Sequence, residues 1–231
     1  MPIQRMSRLL LSLTLLLGCM GFVKPDMPIS EREQLLVEAV VQHDLPLVRQ
    51  LLIRGANIES RDAEGRTALL VAVANHSLEI ARLLIERGAD VNAQDSQMDS
   101  PLLLAGAEGT PEILTLILDA NPDFRVYNRF GGTPLIPACE RGHLEAVQIL
   151  LKTEVDIDHV NNLGWTALLE AIVLSRGGPR HQKIVQLLVD AGANIHIADH
   201  NGVTPLLHAR QKGFHEIVSI LESAAARDHE G

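Results

Sequence analysis

A period of 33 residues is the feature that most restricts how this chain of 231 residues can fold. Similar stretches begin with Asp or Asn at five positions. The first four starts are 33 residues apart, and the last step is 38 residues. A less complete unit precedes them from Ser30. A fixed period of this size indicates one small supersecondary unit that is repeated along the chain and stacked on its copies. The five starts are Asp62, Asp95, Asn128, Asn161 and Asp199.

Each unit predicts two short helices joined by turns. A Thr followed by Ala or Pro can cap a helix that begins at the next residue. Asp or Asn with Gly three positions later, as in Asp62 and Gly65, is a turn signal. Gly88 and Gly192 follow apolar runs and suit the left-handed conformation that ends many helices. The four candidate capping threonines are Thr67, Thr133, Thr166 and Thr204.

Composition favours helices over sheets, because only 3% of the residues are aromatic while 46% are hydrophobic. The Ser-x-x-Glu pattern from Ser30 to Glu33 is that of a capping box, and it predicts that the first helix starts there. Helices of this length are marginal alone. We therefore expect the apolar faces of neighbouring units to share one continuous core.

The repeated motifs resemble the ankyrin repeat family. Thr-Pro-Leu or Thr-Ala-Leu follows four of the turns, Gly-His-Leu-Glu occupies Gly142–Glu145, and Gly-Ala-Asp-Val-Asn occupies Gly88–Asn92. The resemblance covers residues 30–226 and implies an all-α, ankyrin-repeat solenoid of about six helix-turn-helix repeats with hairpin-like loops. It also implies a non-enzymatic protein that binds a protein partner through hairpin tips and inner helices. The stretches RFGG, GWTALLEAI and GGPRHQ resemble exported bacterial members of the family without an assigned activity.

Three positions depart from the family pattern. Asn121 and Glu154 stand where Gly is expected at the end of a repeat, so we expect these helix ends to be distorted. Pro137 lies inside the first helix of repeat four, where it removes one backbone hydrogen bond. It is close enough to the helix start to be tolerated.

The N-terminus predicts export. Residues 1–18 contain two arginines followed by an apolar run, which is the plan of a secretory signal. That run is too short to span a bilayer, which needs about 20 apolar residues. The sequence Leu-Leu-Gly-Cys ending at Cys19 resembles a bacterial lipobox and predicts lipidation of that residue. Cleavage after Gly21 and an uncleaved membrane anchor are the alternatives.

With this leader removed, the protein is expected in the periplasm, anchored by lipid to the bacterial envelope. Residues 19–29 would form a tether between the anchor and the repeats, and residues 227–231 a polar tail. The membrane would be contacted only through the lipid at Cys19. We expect the protein to be a monomer.

The charge balance argues against nucleic acid as a partner. The net charge is −9, with 20 Lys and Arg against 29 Asp and Glu. Residues 1–18 hold two of the cations and no acid, so the remainder carries 18 − 29, or −11. An acidic protein without a basic stripe repels phosphate backbones. A partner with a basic or mixed-charge surface is favoured instead.

The adjacent tips of repeats four and five are the predicted contact surface. Trp and Arg dominate interface hot spots, and aromatic residues are rare in this chain. The alternative is that Phe130 and Trp165 pack against each other and shield the turns. The candidate protein-binding residues on the tips and inner helices are Arg129, Phe130, Glu140, Arg141, Trp165 and Glu170.

The five extra residues of the last interval fall in the stretch VLSRGGPRHQ, residues 173–182, which predicts a longer loop between the two helices of repeat five. Such a loop is inexpensive to close and can exist without a function. Its functional interpretation uses Arg176, Arg180 and His181 at the start of a helix beginning at Pro179. This site could bind a carboxylate from a partner, or one from a neighbouring repeat.

Catalytic and metal chemistry find little support. The ten histidines lack Cys partners and helical spacing, so we predict no metal site and no cofactor. Cys139 occupies a small-residue position in an inner helix, where it would act as a small hydrophobic residue. The remaining alternatives are an envelope protein that binds a small molecule or metal, a hydrolase using Cys139 or His181, and a secreted effector.

Overall fold

The structure is a computed structural model and describes residues 27–228. Within that range it contains twelve α-helices and no strand, apart from an isolated bridge between Arg61 and Thr67. The all-α class is therefore confirmed. In chain order the helices are α1 Ile29–Val41, α2 Leu45–Ile53, α3 Ala68–Ala74, α4 Leu78–Glu86, α5 Pro101–Glu108, α6 Pro111–Asp119, α7 Leu135–Arg141, α8 Leu144–Leu150, α9 Ala167–Val173, α10 Pro179–Asp190, α11 Pro205–Gln211 and α12 His215–Asp228.

Several N- and C-terminal predictions fall outside the described residues. These are the leader over residues 1–18, the lipidation at Cys19 and the alternative cleavage after Gly21. Most of the tether and residues 229–231 of the tail also lie outside, while Arg227 belongs to α12. Among the helices of residues 27–228, none combines the length and the hydropathy that a membrane span requires.

The chain divides into two compact units, which are residues 27–89 and 90–228 of the described part. The first unit holds two repeats, in which α1 packs on α2 and α3, and α4 packs on α2 and α3. The second unit holds four repeats with the pairs α5–α6, α7–α8, α9–α10 and α11–α12. Its first helices α5, α7, α9 and α11 pack side by side, as do its second helices α6, α8, α10 and α12. Fully buried residues of the second unit include Leu114, Leu135, Leu150, Leu169 and Ile184.

Hydroxyl caps start four of the six first helices of the described part, and those at Thr67, Thr166 and Thr204 were predicted, whereas that at Ser100 was not. The Thr67 oxygen accepts from the Leu70 amide at 3.3 Å, and the Thr166 oxygen accepts from the Leu169 amide at 3.2 Å. Thr204 and Ser100 make the equivalent bonds at the starts of α11 and α5. Each cap satisfies one of the amides that a helix start leaves without a partner.

Repeat four is the exception, and its capping prediction is wrong. The Thr133 hydroxyl is buried and has no hydrogen-bond partner among the described residues. In the other capped helices the amide four residues after the cap bonds the backbone carbonyl of the cap residue. At that position repeat four has Pro137, which carries no amide hydrogen. The Ile136 amide bonds the Thr133 carbonyl instead, at 3.3 Å, so it does not serve the hydroxyl.

The first helix also starts differently from the prediction. It begins at Ile29, so Ser30 is its second residue, and no side chain caps it. The predicted capping box is therefore wrong. Pro28 precedes the helix with φ −55° and ψ 150°, an extended conformation that lets Ile29 enter the first turn.

Each hairpin tip is held by the side chain of its first Asp or Asn. In all five tips, the side-chain oxygen of this residue accepts from the amides two and four positions later, at 2.8 to 3.0 Å. The residue three positions later adopts a positive φ, which a glycine tolerates without strain. In repeat three that residue is Met98, with φ 61°. The turn prediction is confirmed, and it extends to a tip without glycine.

The helix ends at the close of the repeats follow the glycine prediction where glycine is present. Gly88 and Gly192 have φ of 84° and 90°. Asn121 replaces glycine with the same left-handed conformation, at φ 55°. Glu154 does not adopt the left-handed conformation. There the Thr153 hydroxyl satisfies a carbonyl at the helix end, by donating to Leu150 at 2.6 Å.

The extra residues of repeat five are shared between a loop and a helix. The predicted loop over residues 173–182 is too long, because α9 ends at Val173 and α10 begins at Pro179. The loop is Leu174–Gly178, and α10 has 12 residues whereas α8 has 7. Pro179 therefore starts the second helix, as predicted, because its fixed φ suits the first helical position.

Replacing Pro137 with Ala should stabilise the protein by about 1 kcal/mol, because the new amide can bond the Thr133 carbonyl and release the Ile136 amide to the buried hydroxyl. Urea denaturation followed by circular dichroism measures the free energy of unfolding. Pro134→Ala is the control, because Pro134 precedes the first α7 residue and blocks no such bond. Equal effects of the two substitutions would show that the missing amide is not the cause.

Candidate protein-binding surface

Three successive tips of the second unit each expose one apolar side chain. Met98, Phe130 and Leu163 are 48%, 45% and 46% exposed, and they belong to the tips of repeats three, four and five. We call these three side chains the apolar tip row. Each lies in a turn fixed by its own Asp or Asn side chain, so its backbone is already ordered. An exposed apolar group on a rigid support is the arrangement found at protein-binding sites.

Arg129 supports the row from the side. Its guanidinium carbon lies 4.8 Å from the centroid of the Phe130 ring. Its Nη1 donates to the Gln97 side-chain oxygen at 3.0 Å, which joins the tips of repeats three and four. The guanidinium remains exposed and can accept a further polar partner.

Trp165 is half-buried at the base of the fifth-repeat tip, and its amide donates to the Asn161 side chain at 3.0 Å. No ring contact joins Phe130 to Trp165 among the described residues, so they do not shield each other by stacking. The stacked pair of this region is Tyr127 on His159, with centroids 4.5 Å apart.

The predicted residues on the first helices have unequal access to solvent. Arg141 is exposed and donates to the Ala107 carbonyl at 2.9 Å and to the Glu108 carboxylate at 3.1 Å. It thereby connects repeats three and four. Glu140 is half-buried, and its backbone carbonyl accepts a bond from His181 at 2.9 Å.

Glu170 is an internal residue rather than part of the outer surface. It is 5% exposed, and its carboxyl oxygen accepts from the Asn161 side-chain amide at 2.8 Å. Burial raises the pKa of Glu170 to about 7, and the nearby Glu140 adds to the rise. Because Asn161 also holds the tip turn, Glu170 links helix α9 to the position of Leu163 and Trp165.

The equivalent pair in repeat six was not predicted from the sequence. Asp199 holds the sixth-repeat tip, and its second carboxylate oxygen lies 2.9 Å from Nε2 of His208. Asp199 and His208 are nine residues apart, as are Asn161 and Glu170. A polar pair nine residues apart in two successive repeats is a sequence signal. It could have identified Glu170 and His208 as the residues that hold Asn161 and Asp199 in place.

The loop of repeat five is tied to the repeat before it. His181 donates to the Glu140 carbonyl, and in the preceding repeat His143 bonds the equivalent carbonyl, that of Ala107. Burial is the main cause of a lowered pKa for His143. Arg176 and Arg180 are exposed. Despite its extra residues, repeat five therefore makes the same contact with the preceding repeat as a repeat of normal length does.

Cys139, the candidate nucleophile of the hydrolase alternative, is not available for catalysis. Cys139 is fully buried, and burial raises the pKa of its thiol, so the reactive thiolate does not form near neutral pH. The His181 ring is engaged with a backbone carbonyl. No group of three or more His, Cys, Asp or Glu residues that could hold a metal occurs within residues 27–228.

Comparisons with known proteins agree with this architecture. The family profile described as ankyrin repeats matches three overlapping stretches, residues 12–95, 35–128 and 102–199. An ankyrin repeat domain from Acinetobacter baumannii AYE is 49% identical, with a TM-score of 0.80, over 82% of this chain and 97% of that chain. The ankyrin repeat protein EF0377 is 45% identical, with a TM-score of 0.79, over 81% of this chain and 96% of that chain.

A curated relative matches over a shorter stretch. The ankyrin repeat protein YahD of Escherichia coli K12 is 53% identical over 58 residues, which make up 25% of this chain. The match spans only 29% of the length of YahD. The likeness therefore concerns the repeats and does not extend to that protein as a whole.

Replacing Glu170 with Gln should change how stability depends on pH. The pKa of Glu170 is about 7 in the folded protein and 4.5 for an ordinary glutamate, so the folded state binds the proton more tightly than the unfolded state. The resulting stabilisation is fully present below pH 4.5 and is lost as the pH rises through 7. The wild type should thus lose about 3 kcal/mol relative to Glu170→Gln between these limits. Denaturation at several pH values measures the difference. Glu145→Gln, at an exposed site on α8, should follow the wild type, and a parallel profile for Glu170→Gln would contradict the assignment.

Proposed function

Because the chain belongs to the ankyrin repeat family, whose repeats generally serve as protein–protein interaction modules, we propose that it is a non-enzymatic scaffold that binds a protein partner. The binding surface consists of the hairpin tips, the adjoining faces of the first helices and the loop of repeat five. The observation that carries this proposal is the apolar tip row, three half-exposed apolar side chains on successive rigid turns.

The tip geometry supports binding with little loss of conformational freedom. Ordering a loop on association opposes binding, whereas a turn that is already fixed avoids that penalty. Phe130 with Arg129 against its ring resembles the aromatic and arginine anchors that dominate interface energetics. Glu170, although buried, contributes by holding Asn161 and thereby the fifth tip.

The location of the protein is a further part of the proposal. We infer export from the leader pattern over residues 1–18 and a lipid anchor from the lipobox-like sequence that ends at Cys19. The repeats would then stand in the periplasm, tethered to the envelope. A rigid docking surface on a short tether restricts the partner to proteins that reach the membrane surface.

The tip row can be tested with a photo-crosslinking amino acid at position 163 of the full chain, expressed in its bacterial envelope. A single partner should be captured, and Phe130→Asp should reduce its yield more than tenfold, because losing a hot-spot side chain costs about 2 kcal/mol or more. Val41→Asp is the matched control, since Val41 is 45% exposed but lies outside the tips. Equal losses with both variants, or no capture at 163, would refute the tip row as the working surface.

The anchor can be tested by metabolic labelling with a fatty-acid analogue and by fractionation. The wild type should carry the label and stay in the membrane pellet, and Cys19→Ala should lose the label. Cys139→Ala is the control, because it removes the other of the two cysteines and leaves the lipobox-like sequence intact. An unlabelled wild-type protein in the soluble periplasm would instead support ordinary secretion.

A further inference from the structure

Exposed cations surround the loop of repeat five. Arg176 lies within the loop beside Gly177, and the ring of Phe214 from the next repeat covers this glycine so closely that a Cβ atom there would lie 2.5 Å from the ring. The ammonium nitrogen of Lys212 is 5.3 Å from the centroid of the same ring. Phe214 thus brings Lys212 of repeat six toward the loop.

Arg180 adds a third cation at the start of α10, on the side of the loop that faces repeat four. A Cβ atom at Gly142 would lie 2.9 Å from Cδ of Arg180, so the arginine stem lies on the backbone of repeat four. The neighbouring His181 is bonded to the Glu140 carbonyl, which fixes this end of the helix. We call Arg176, Arg180 and Lys212 the basic loop patch.

These three cations make no ion pair within the part of the chain that the structure describes. Other cations of the protein do find carboxylates, such as Arg66 with Asp62 at 2.7 Å and Arg210 with Glu222 at 2.7 Å. The whole chain carries a net charge of −9, so acidic groups are not scarce. The basic loop patch therefore presents three positive charges that have no carboxylate partner among the described residues, on an acidic protein.

The repeat pattern places this excess at one specific position. The second residue of the second helix is acidic in repeats two, three, four and six, where it is Glu79, Glu112, Glu145 and Glu216. Such a carboxylate neutralises the positive partial charge at the start of its own helix. In α10 the same position holds Arg180, and the first turn contains no acid. At repeat five the internal carboxylate is missing and a cation stands in its place.

We propose that the basic loop patch binds an acidic segment, rich in Asp and Glu, of the partner protein. The inference rests on the proposed binding function and adds the chemistry of the partner. A short acidic segment can reach the patch without approaching the rest of the molecule. A long polyanion such as nucleic acid, or an anionic membrane surface, extends beyond the screening length of about 8 Å and meets the net negative charge.

The test uses the full chain and a fluorescent decapeptide of alternating Glu and Gly, with a Gln–Gly peptide of the same length for comparison. Fluorescence anisotropy at low salt should detect binding of the Glu peptide and none of the Gln peptide. The triple variant Arg176→Ala, Arg180→Ala, Lys212→Ala should weaken binding about tenfold, which corresponds to three exposed charge contacts. Raising the salt concentration should also weaken binding of the Glu peptide to the wild type, because salt screens exposed charges.

The control variant is Arg82→Ala, Arg87→Ala, Lys152→Ala, which removes three exposed cations that do not belong to the patch and changes the net charge equally. It should bind the Glu peptide as the wild type does, and circular dichroism should show both variants folded. Equal weakening by the two variants, or equal binding of the two peptides, would overturn the inference. So would a parallel measurement in which the protein binds phosphatidylglycerol vesicles but not the Glu peptide. Retained crosslinking at position 163 in that case would leave the proposed scaffold function standing.

Discussion

Burial between neighbouring repeats is the interaction on which the other features of this structure depend. The first helices of repeats two to six have only seven or eight residues, too few to persist in water without packing. Within the second unit, the apolar faces of these helices are covered by neighbouring repeats, so that residues such as Leu135 and Leu169 have no exposed surface. Because the core is shared, the position of each tip depends on the repeats beside it as well as on its own sequence. Exposed apolar groups can then be held in place without being part of the core.

Local signals were sufficient for most of the fold, because they act within a few residues. A threonine and the amide three positions later form a cap regardless of distant sequence, as at Thr67 and Thr166. The prediction at Thr133 was wrong because two local rules compete there. Pro137 removes an amide, and the amide that would serve the hydroxyl is diverted to the carbonyl. At the first helix, the capping pattern did not account for the entry of Ile29 into the first turn.

The candidate surface was only partly predictable, since exposure depends on contacts that are distant in sequence. The repeat period placed Phe130 and Arg129 on a tip, and the structure finds both exposed there. The same period placed Glu170 on a first helix but could not reveal its burial, which arises from packing between helices and from the bond to Asn161. Likewise, the length of the insertion was evident, whereas its division between the loop and α10 depends on the contact of His181 with repeat four.

The bond from His181 to Glu140 also preserves the contact between repeats five and four despite the extra residues. It holds the start of α10 on repeat four, as the equivalent bond holds His143 on repeat three in a repeat without extra residues. On its other side the loop is held by repeat six, because the ring of Phe214 packs on Gly177. A recognition sequence grafted between Leu174 and Gly178 would therefore have to keep Gly177 and His181 if the neighbouring repeats are to stay in register.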